Sequence, residues 1–527
     1  MNMHRARPRW TRSWQWFGLL LLAACAVNPV TGERQLQFYD ADWERQTGAE
    51  LYAPMRQAGG GDYIQDPALT AYVRDVGERL AAQARRRDTL DFEFRILNDS
   101  TPNAWALPGG KIVVNRGLLT RLNSEAELAA VLAHEIVHAD AAHSAQQQSK
   151  GVLTQIGATA GMVLIGSQVD SSAGQQAAAM VPALGAQLIT QKFSRDAERE
   201  ADQYGMRYMA DAGYDPQGAV QLQETFLRLS EGRDPDWLNG LFASHPPSRE
   251  RLERNRAMAQ KLPAGGHTEP QRYARMMAGL MRSAPAYAAY DEAIAAAGRG
   301  EFDRARPLLD RALEQEPDEA LFHALDGDLK AHTGALGEAL LAYDRAVARN
   351  GEYFYHVLRR GQAHLKLGQP AAARRDLERS LALLPTSLGH YLLGNLERDA
   401  GRRDAARGHY EQAARSDSET GRQAQRELVL MEIAEDPGRF VATAPAADGS
   451  GNLYCVVANR TSVALDGITV RAGFSDDAGS RQQGRVRLDA ALAAQQRANI
   501  ALGWRTMTTA GLENRVSCEV EAARVAD

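Results

Sequence analysis

The stretch Glu125-Ala-Glu-Leu-Ala-Ala-Val-Leu-Ala-His134-Glu135-Ile-Val-His138-Ala-Asp140 decides how this chain is read. It holds strong helix formers and neither Gly nor Pro, which predicts an unbroken helix. Histidines four residues apart on a helix project from one face, one turn apart, at the separation that two ligands of one zinc need. Glu135 lies beside that face, where a carboxylate can take a proton from a metal-activated water. Leu128, Val131 and Leu132 give the same helix an apolar side.

A third protein ligand must come from downstream, and three patterns compete for it. One needs a glycine at position 141 and a histidine at position 144; the chain has Ala141 and Ser144, with His143 one residue out of register. A second needs a Glu about two dozen residues on, yet no carboxylate follows Lys150 until Asp170. The third is Phe193-Ser-Arg-Asp-Ala-Glu198-Arg-Glu200-Ala-Asp202-Gln-Tyr-Gly205. On a helix Glu198 and Asp202 share a face while Glu200 points away. Glu198 then completes the metal sphere, and Asp202 accepts the spare N–H of a ligand histidine.

Working outward, a chain of 527 residues is too long for one core and predicts several domains. With 44% hydrophobic and 24% charged residues it reads as globular. A net charge of −5 and no basic patch beyond the first dozen residues argue against nucleic acid as a partner. Those first residues, Arg5 to Arg12, precede an apolar run from Trp16 to Ala24, which reads as a signal peptide over residues 1–24. Leu22-Ala23-Ala24-Cys25 resembles a bacterial lipobox, so Cys25 is expected to carry a lipid anchor. Ala26 after it points by analogy to the outer membrane of a Gram-negative bacterium, facing the periplasm. The short apolar run Val152–Ile165 is too short to span a bilayer. Two amphipathic helices over the cleft, as a lid or as a plain hairpin, are expected there instead.

Beyond residue 263 the character changes. A helical linker over 264–283 leads to Gly300-Glu-Phe-Asp-Arg-Ala305, Gly334-Ala-Leu-Gly-Glu-Ala339, Gly368-Gln-Pro-Ala-Ala-Ala373 and Gly401-Arg-Arg-Asp-Ala-Ala406, spaced by 34, 34 and 33 residues. Units of this period, about four over 284–420, resemble tetratricopeptide repeats and predict an all-α solenoid that presents a groove to polypeptide. Residues 421–448 read as a capping helix and linker. From 449 to 527 short alternating runs predict a small β-sandwich, with Cys455 and Cys518 on inward faces, either as a disulfide or as two buried thiols.

His-Glu-x-x-His combined with Ser194-Arg195-x-x-Glu198-x-x-x-Asp202 resembles the gluzincin zinc peptidases of the HtpX and CAAX-prenyl-protease type. So do Asn103-Ala-Trp-Ala-Leu-Pro-Gly109-Gly110, Val114-Asn115-Arg116-Gly117-Leu118 and Ser244-His245-Pro246-Pro247 with Arg251. The resemblance implies a mostly helical α+β zincin-type domain over 25–263, holding one zinc through His134, His138 and Glu198. Glu135 would be the base, Asp202 a supporting carboxylate, and His245 an oxyanion contact or a fourth, inhibitory ligand. The Gly109–Asn115 stretch would be the edge strand on which substrate is laid, through Asn103, Gly109, Gly110, Val113 and Asn115, with Arg251 nearby. Peptidase followed by repeats is similar to members of that family that serve outer-membrane β-barrel assembly. Asn28-Pro-Val-Thr-Gly32 is similar to its outer-membrane lipoprotein peptidases. The implied substrates are unfolded or misassembled envelope polypeptides, with the assembly machinery a possible partner of the repeats. A chaperone or assembly scaffold with a latent peptidase site is the rival reading.

Overall fold

The structure, a computed structural model, describes residues 25–151, 193–231, 245–475 and 480–526. The expected signal peptide and the helices expected after Gly151 lie outside the described residues. Among the described residues no helix is long and apolar enough to cross a membrane. The chain divides into two compact units, one up to Leu367 and one from Gly368.

The first unit opens with a small hairpin, β1 (Cys25–Val27) against β2 (Arg34–Leu36). Helices α1 (Ala41–Ala58) and α2 (Pro67–Ala81) follow, each started by an aspartate that accepts a backbone N–H of its first turn: Asp40 from Trp43 and Asp66 from Leu69. A three-stranded sheet comes next, β3 (Glu93–Leu97), β4 (Ala104–Leu107) and β5 (Lys111–Asn115), in the order β3-β5-β4. β5 runs parallel to β3 and antiparallel to β4. This corrects the expectation for Gly109–Asn115: β5 is the central strand, buried at every residue, and the edge beside the active-site helix is β4. The reason is visible in composition, since Ile112, Val113 and Val114 form the run of β-branched residues that a strand covered on both faces requires.

Helix α3 (Glu125–Asp140) packs against α4 (Arg195–Asp211), α5 (Gln217–Glu231) and α2. Ser124 caps its start, and the Ser124 hydroxyl accepts the Glu127 N–H at 3.2 Å. Its ends are tied down by buried carboxylates. Glu125 accepts from Tyr72, Arg79, Tyr214 and Arg272. Asp140 accepts two backbone N–H groups, of Arg85 and Arg86, and the Tyr208 hydroxyl. Helix α6 (Arg249–Ala259) closes this part.

The stretch read as a linker is the first half of one long helix, α7 (Pro270–Gly298), which continues into the repeats. α8 (Phe302–Gln315), α9 (Ala320–His332), α10 (Leu336–Arg349) and α11 (Phe354–Lys366) complete the unit. One continuous apolar core joins the sheet and α3 to Leu309 and Phe322 of the repeats. A buried polar seam joins them as well: Arg116 donates to Asn98, Asn98 to Glu319, and Tyr287 to the same Glu319.

The second unit holds α12 (Pro370–Leu383), α13 (Ser387–Asp399), α14 (Arg403–Ala413) and α15 (Glu419–Glu432), followed by strands. The four recurring glycines Gly300, Gly334, Gly368 and Gly401 all sit in the left-handed region, at φ of +78°, +81°, +69° and +74°, each in a turn between helices consecutive in sequence. Two three-stranded sheets then form a small sandwich. One is β10 (Arg497–Arg505), β7 (Asn452–Asn459) and β6 (Val441–Ala447); the other is β11 (Val516–Val525), β8 (Leu465–Ser475) and β9 (Arg481–Arg487). Cys455 and Cys518 are bonded between them, with Cα atoms 5.9 Å apart. β6 lies in the stretch read as linker. It carries Pro445 and small residues, which hide a strand signal, and as an edge strand it tolerates the missing N–H.

Candidate metal centre

Three elements bring the site together. α3 supplies His134, Glu135 and His138, α4 supplies Glu198 and Asp202, and the residues just before α6 supply His245. One donor atom from each of His134, His138, Glu198 and His245 lies within 4.8 Å of the others. Nε2 of His134 and Nε2 of His138 face each other at 3.0 Å. Glu198 Oε2 is 3.6 Å from the first and Oε1 is 3.4 Å from the second. Imidazole nitrogens and carboxylate oxygens converging on one point form a donor set that a shared cation satisfies. Metal–ligand bonds of about 2.0–2.2 Å give a tetrahedral set with edges of about 3.3–3.6 Å, which is the scale of these separations. The residues present therefore fit a metal ion.

His245 takes the fourth position, its Nδ1 lying 3.3 Å from His134 Nε2 and 2.8 Å from Glu198 Oε1. Its other nitrogen is 3.7 Å from Glu135 Oε1, so it also stands against the expected base. Burial pushes the His138 imidazole well below its ordinary range, which keeps it neutral as a ligand must be. Burial would raise the Glu198 carboxyl, but His245, His138 and His134 outweigh it and hold the group well below the usual carboxylate range.

Asp202 stands one turn along α4 from Glu198, and its Oδ1 is 3.1 Å from His134 Nδ1. Arg251 grips Asp202 through Nε and Nη2, both at 2.8 Å, while its Nη1 is 3.0 Å from Glu198 Oε2. Burial would lift the Asp202 carboxyl, yet the Arg251 guanidinium holds it down. Arg251, expected near the substrate, is a buried clamp between two acidic residues of α4. An apolar recess of ≈ 30 Å³ beside His134 and Glu135 is floored by Met206, Met209 and Phe226.

The expected substrate residues are less gathered. Val113 and Asn115 are buried in the central strand, and Asn115 donates to Asp99 and to the Thr101 carbonyl. Gly109 and Gly110 form the left-handed turn into β5. Asn103 stands at the start of edge strand β4 and is half-buried.

Two side chains of the site carried no spacing signal. His143 follows α3 after Ala142, a non-glycine residue at φ +57°. That reversal carries His143 back beneath His138, their Nδ1 atoms 2.9 Å apart. Phe193 stacks on His138 with ring centres 4.0 Å apart.

With this geometry in view, residues 67–259 match Peptidase family M48, and residues 290–353 and 358–420 match the tetratricopeptide repeat. Metalloprotease YcaL of Escherichia coli is 30% identical over 252 residues, a span covering 45% of this chain and 94% of that protein. The chain belongs to peptidase family M48. The Beta-barrel assembly-enhancing protease of Yersinia pestis is 29% identical over 428 residues, 76% of this chain and 85% of the relative. The Mitochondrial metalloendopeptidase OMA1 of Schizosaccharomyces pombe is 33% identical over 228 residues, 43% and 64% of the two chains. As an M48 enzyme the chain is a metallopeptidase, and the four-donor cluster is where its metal fits.

Proposed function

We propose that this M48 peptidase is a zinc-dependent endopeptidase of the bacterial cell envelope that removes unfolded or misassembled outer-membrane proteins. The observation that carries the chemistry is the convergence of His134, His138 and Glu198 with Glu135 beside them. Imidazoles with a single carboxylate favour zinc over magnesium or calcium, which prefer all-oxygen shells. When bound, zinc polarises the scissile carbonyl and acidifies an attacking water. Glu135 takes the proton and returns it to the leaving amine. Asp202 holds the His134 tautomer, and Arg251 keeps Asp202 and Glu198 charged and in place. β4, rather than β5, is the strand we assign to an extended substrate, which would pair through main-chain hydrogen bonds. Catalysis falls to residues 25–263, capture of polypeptide or of assembly machinery to the repeats of 284–420. Cys25 is the lipid anchor that places the enzyme at the outer membrane; we assign no role to 449–527. The substrate class follows the Yersinia relative, a beta-barrel assembly-enhancing protease.

One observation favours a second reading, a scaffold whose peptidase is latent at rest. His245 fills the fourth donor position that a catalytic site must leave open. Degradation of an unfolded outer-membrane protein by the zinc-loaded mature chain, beside Glu135→Gln, tests both. Cleavage by wild type with a loss of about 10²–10⁴ in the variant supports the peptidase and its base. Equal cleavage by both removes Glu135 from that role, and no cleavage by wild type with rescue by His245→Ala supports latency.

A further inference from the structure

The two ligand histidines are oriented by different means. His134 has Asp202 behind it, and Arg251 holds Asp202. Behind His138 stands a second histidine. His138 and His143 meet through their Nδ1 atoms at 2.9 Å. On its far side, His143 Nε2 is 3.6 Å from Glu200 Oε2, and Glu200 Oε1 accepts the Asn28 side-chain N–H at 2.7 Å. Resting on the metal reading above, we propose that Asn28, Glu200 and His143 form a positioning relay that sets the tautomer of His138, making the hairpin that follows Cys25 a working part of the metal centre.

Each link has one consistent proton placement. His138 must offer the bare Nε2 that faces His134 and Glu198, so its proton sits on Nδ1 and is donated to His143. His143 Nδ1 is then an acceptor, and its own proton sits on Nε2, aimed at Glu200. The opposite tautomer of His143 would donate to His138 and move the His138 proton onto the nitrogen that must ligate. A carboxylate at Glu200 prevents this, because it attracts a ring N–H and repels a bare ring nitrogen. The separation of 3.6 Å exceeds a direct hydrogen bond, so this link acts through charge.

Asn28 fixes the carboxylate. Its Oδ1 accepts the backbone N–H groups of Val30 and Thr31, which leaves only Nδ2 to point at Glu200. Asn28 lies in the turn between β1 and β2, where its backbone also pairs with Glu33 and Gly32. The side chain is buried, so the orientation does not relax into solvent. Glu200 is thus held on a different side of α4 from Glu198, the donor, and Asp202, the partner of His134. The two sides of α4 hold one ligand histidine each: Asp202 serves His134, and Glu200 serves His138 through His143.

The test is zinc affinity of the full mature chain, read by competition with a chromophoric chelator, with the unfolding midpoint of the metal-free protein measured alongside. His143→Ala is expected to weaken zinc binding roughly 10–100-fold, the effect usual for losing an outer-shell partner of a ligand histidine. His143→Asn, whose Oδ1 occupies the place of Nδ1 and accepts the same proton, is expected to restore most of that affinity. Asn28→Ala is expected to weaken binding in the same direction by less, with the metal-free midpoint unchanged. A purely structural role would lower the metal-free midpoint and would not separate His143→Asn from His143→Ala. Should His143→Ala fail to fold, His143→Asn and Asn28→Ala carry the test alone. Wild-type affinity in both His143→Ala and Asn28→Ala overturns the relay and leaves the metal centre standing. A wild-type chain that takes up no zinc overturns the metal centre itself.

Discussion

On the proposed latent reading, His245 is the residue on which activity turns, because its ring joins the donor cluster and also leans on Glu135. His245→Ala should raise the rate of peptide cleavage by the zinc-loaded protein above wild type while zinc stays bound, checked by turnover of an unfolded substrate and by metal content. Arg251 stands for the opposite kind of residue. Arg251→Met removes the cation that two buried carboxylates share, and breaking a buried pair in this way costs about 3–5 kcal/mol. The urea midpoint of the metal-free protein should fall accordingly, whereas a surface pair such as Arg256 with Glu253 should give little when broken. At this scale His134, Glu135, His138, Glu198 and Asp202 are legible in the sequence because helical spacing places them: i, i+4 pairs share a face whatever the fold. Arg251 was legible as a neighbour of the site and illegible as a clamp, since its partner Asp202 lies 49 positions away and Glu198 farther still. His143 was illegible as well. Its place depends on the left-handed turn at Ala142, and an alanine announces no such turn.

Among the elements, the repeats show how two glycines of one motif do different work. Gly334 turns the chain between α9 and α10 at φ +81°, with open space where a Cβ would go. Gly334→Ala should cost about 1 kcal/mol, the penalty of a left-handed alanine. Gly327 lies inside α9, where a Cβ would come within 2.4 Å of the Tyr343 ring. Gly327→Ala should cost more than Gly334→Ala, about 1–3 kcal/mol for forcing two packed helices apart, and thermal unfolding of the pair of variants checks the order. The recurrence of the turn glycine made the repeats readable, because the backbone conformation demands that residue. The sheet was less readable. A run such as Ile112-Val113-Val114 tells that a strand is buried but not which neighbours it has, so the central place of β5 and the edge place of β4 emerge only from pairing. β6 was hidden by Pro445 and its alanines, and the first half of Pro270–Gly298 looked like a linker because nothing in its sequence marks where a connecting helix becomes a repeat helix.

For the molecule as a whole, the order of peptidase, repeats and strands was legible from motif, period and alternation, while the anchoring of the first repeats to the peptidase was not. That seam ties Arg116 and Asn98 to Glu319, which lies 221 positions from Asn98 in sequence. Each unit has its own sensitivity. In the unit up to Leu367, His356 is fully buried, its Nδ1–H donates to the Asn350 carbonyl and burial lowers its pKa to about 4. The unfolded chain takes up that proton near pH 6.5, so between about 6.5 and 4 it binds more protons than the fold does. Stability is therefore whole above pH 6.5 and is lost as pH falls through this window, by about 3 kcal/mol at most from this group. His356→Asn, which keeps the donor and cannot titrate, should lose less between pH 7.5 and 5 in urea unfolding. In the unit from Gly368, the bond between Cys455 and Cys518 closes a separation of 63 residues, and its reduction should lower stability there by roughly 4 kcal/mol. Hydrogen exchange of β7 and β11 with and without reductant would register the change. The proposed metal centre is one zinc held by this cluster, with His245 as its resting fourth ligand on the latent reading. X-ray absorption at the zinc edge of the mature wild-type protein, beside His245→Ala, tests it most directly. Three imidazoles and one carboxylate in wild type, falling to two imidazoles in the variant, is the expected result. An identical ligand set in both, or no bound zinc, would contradict it.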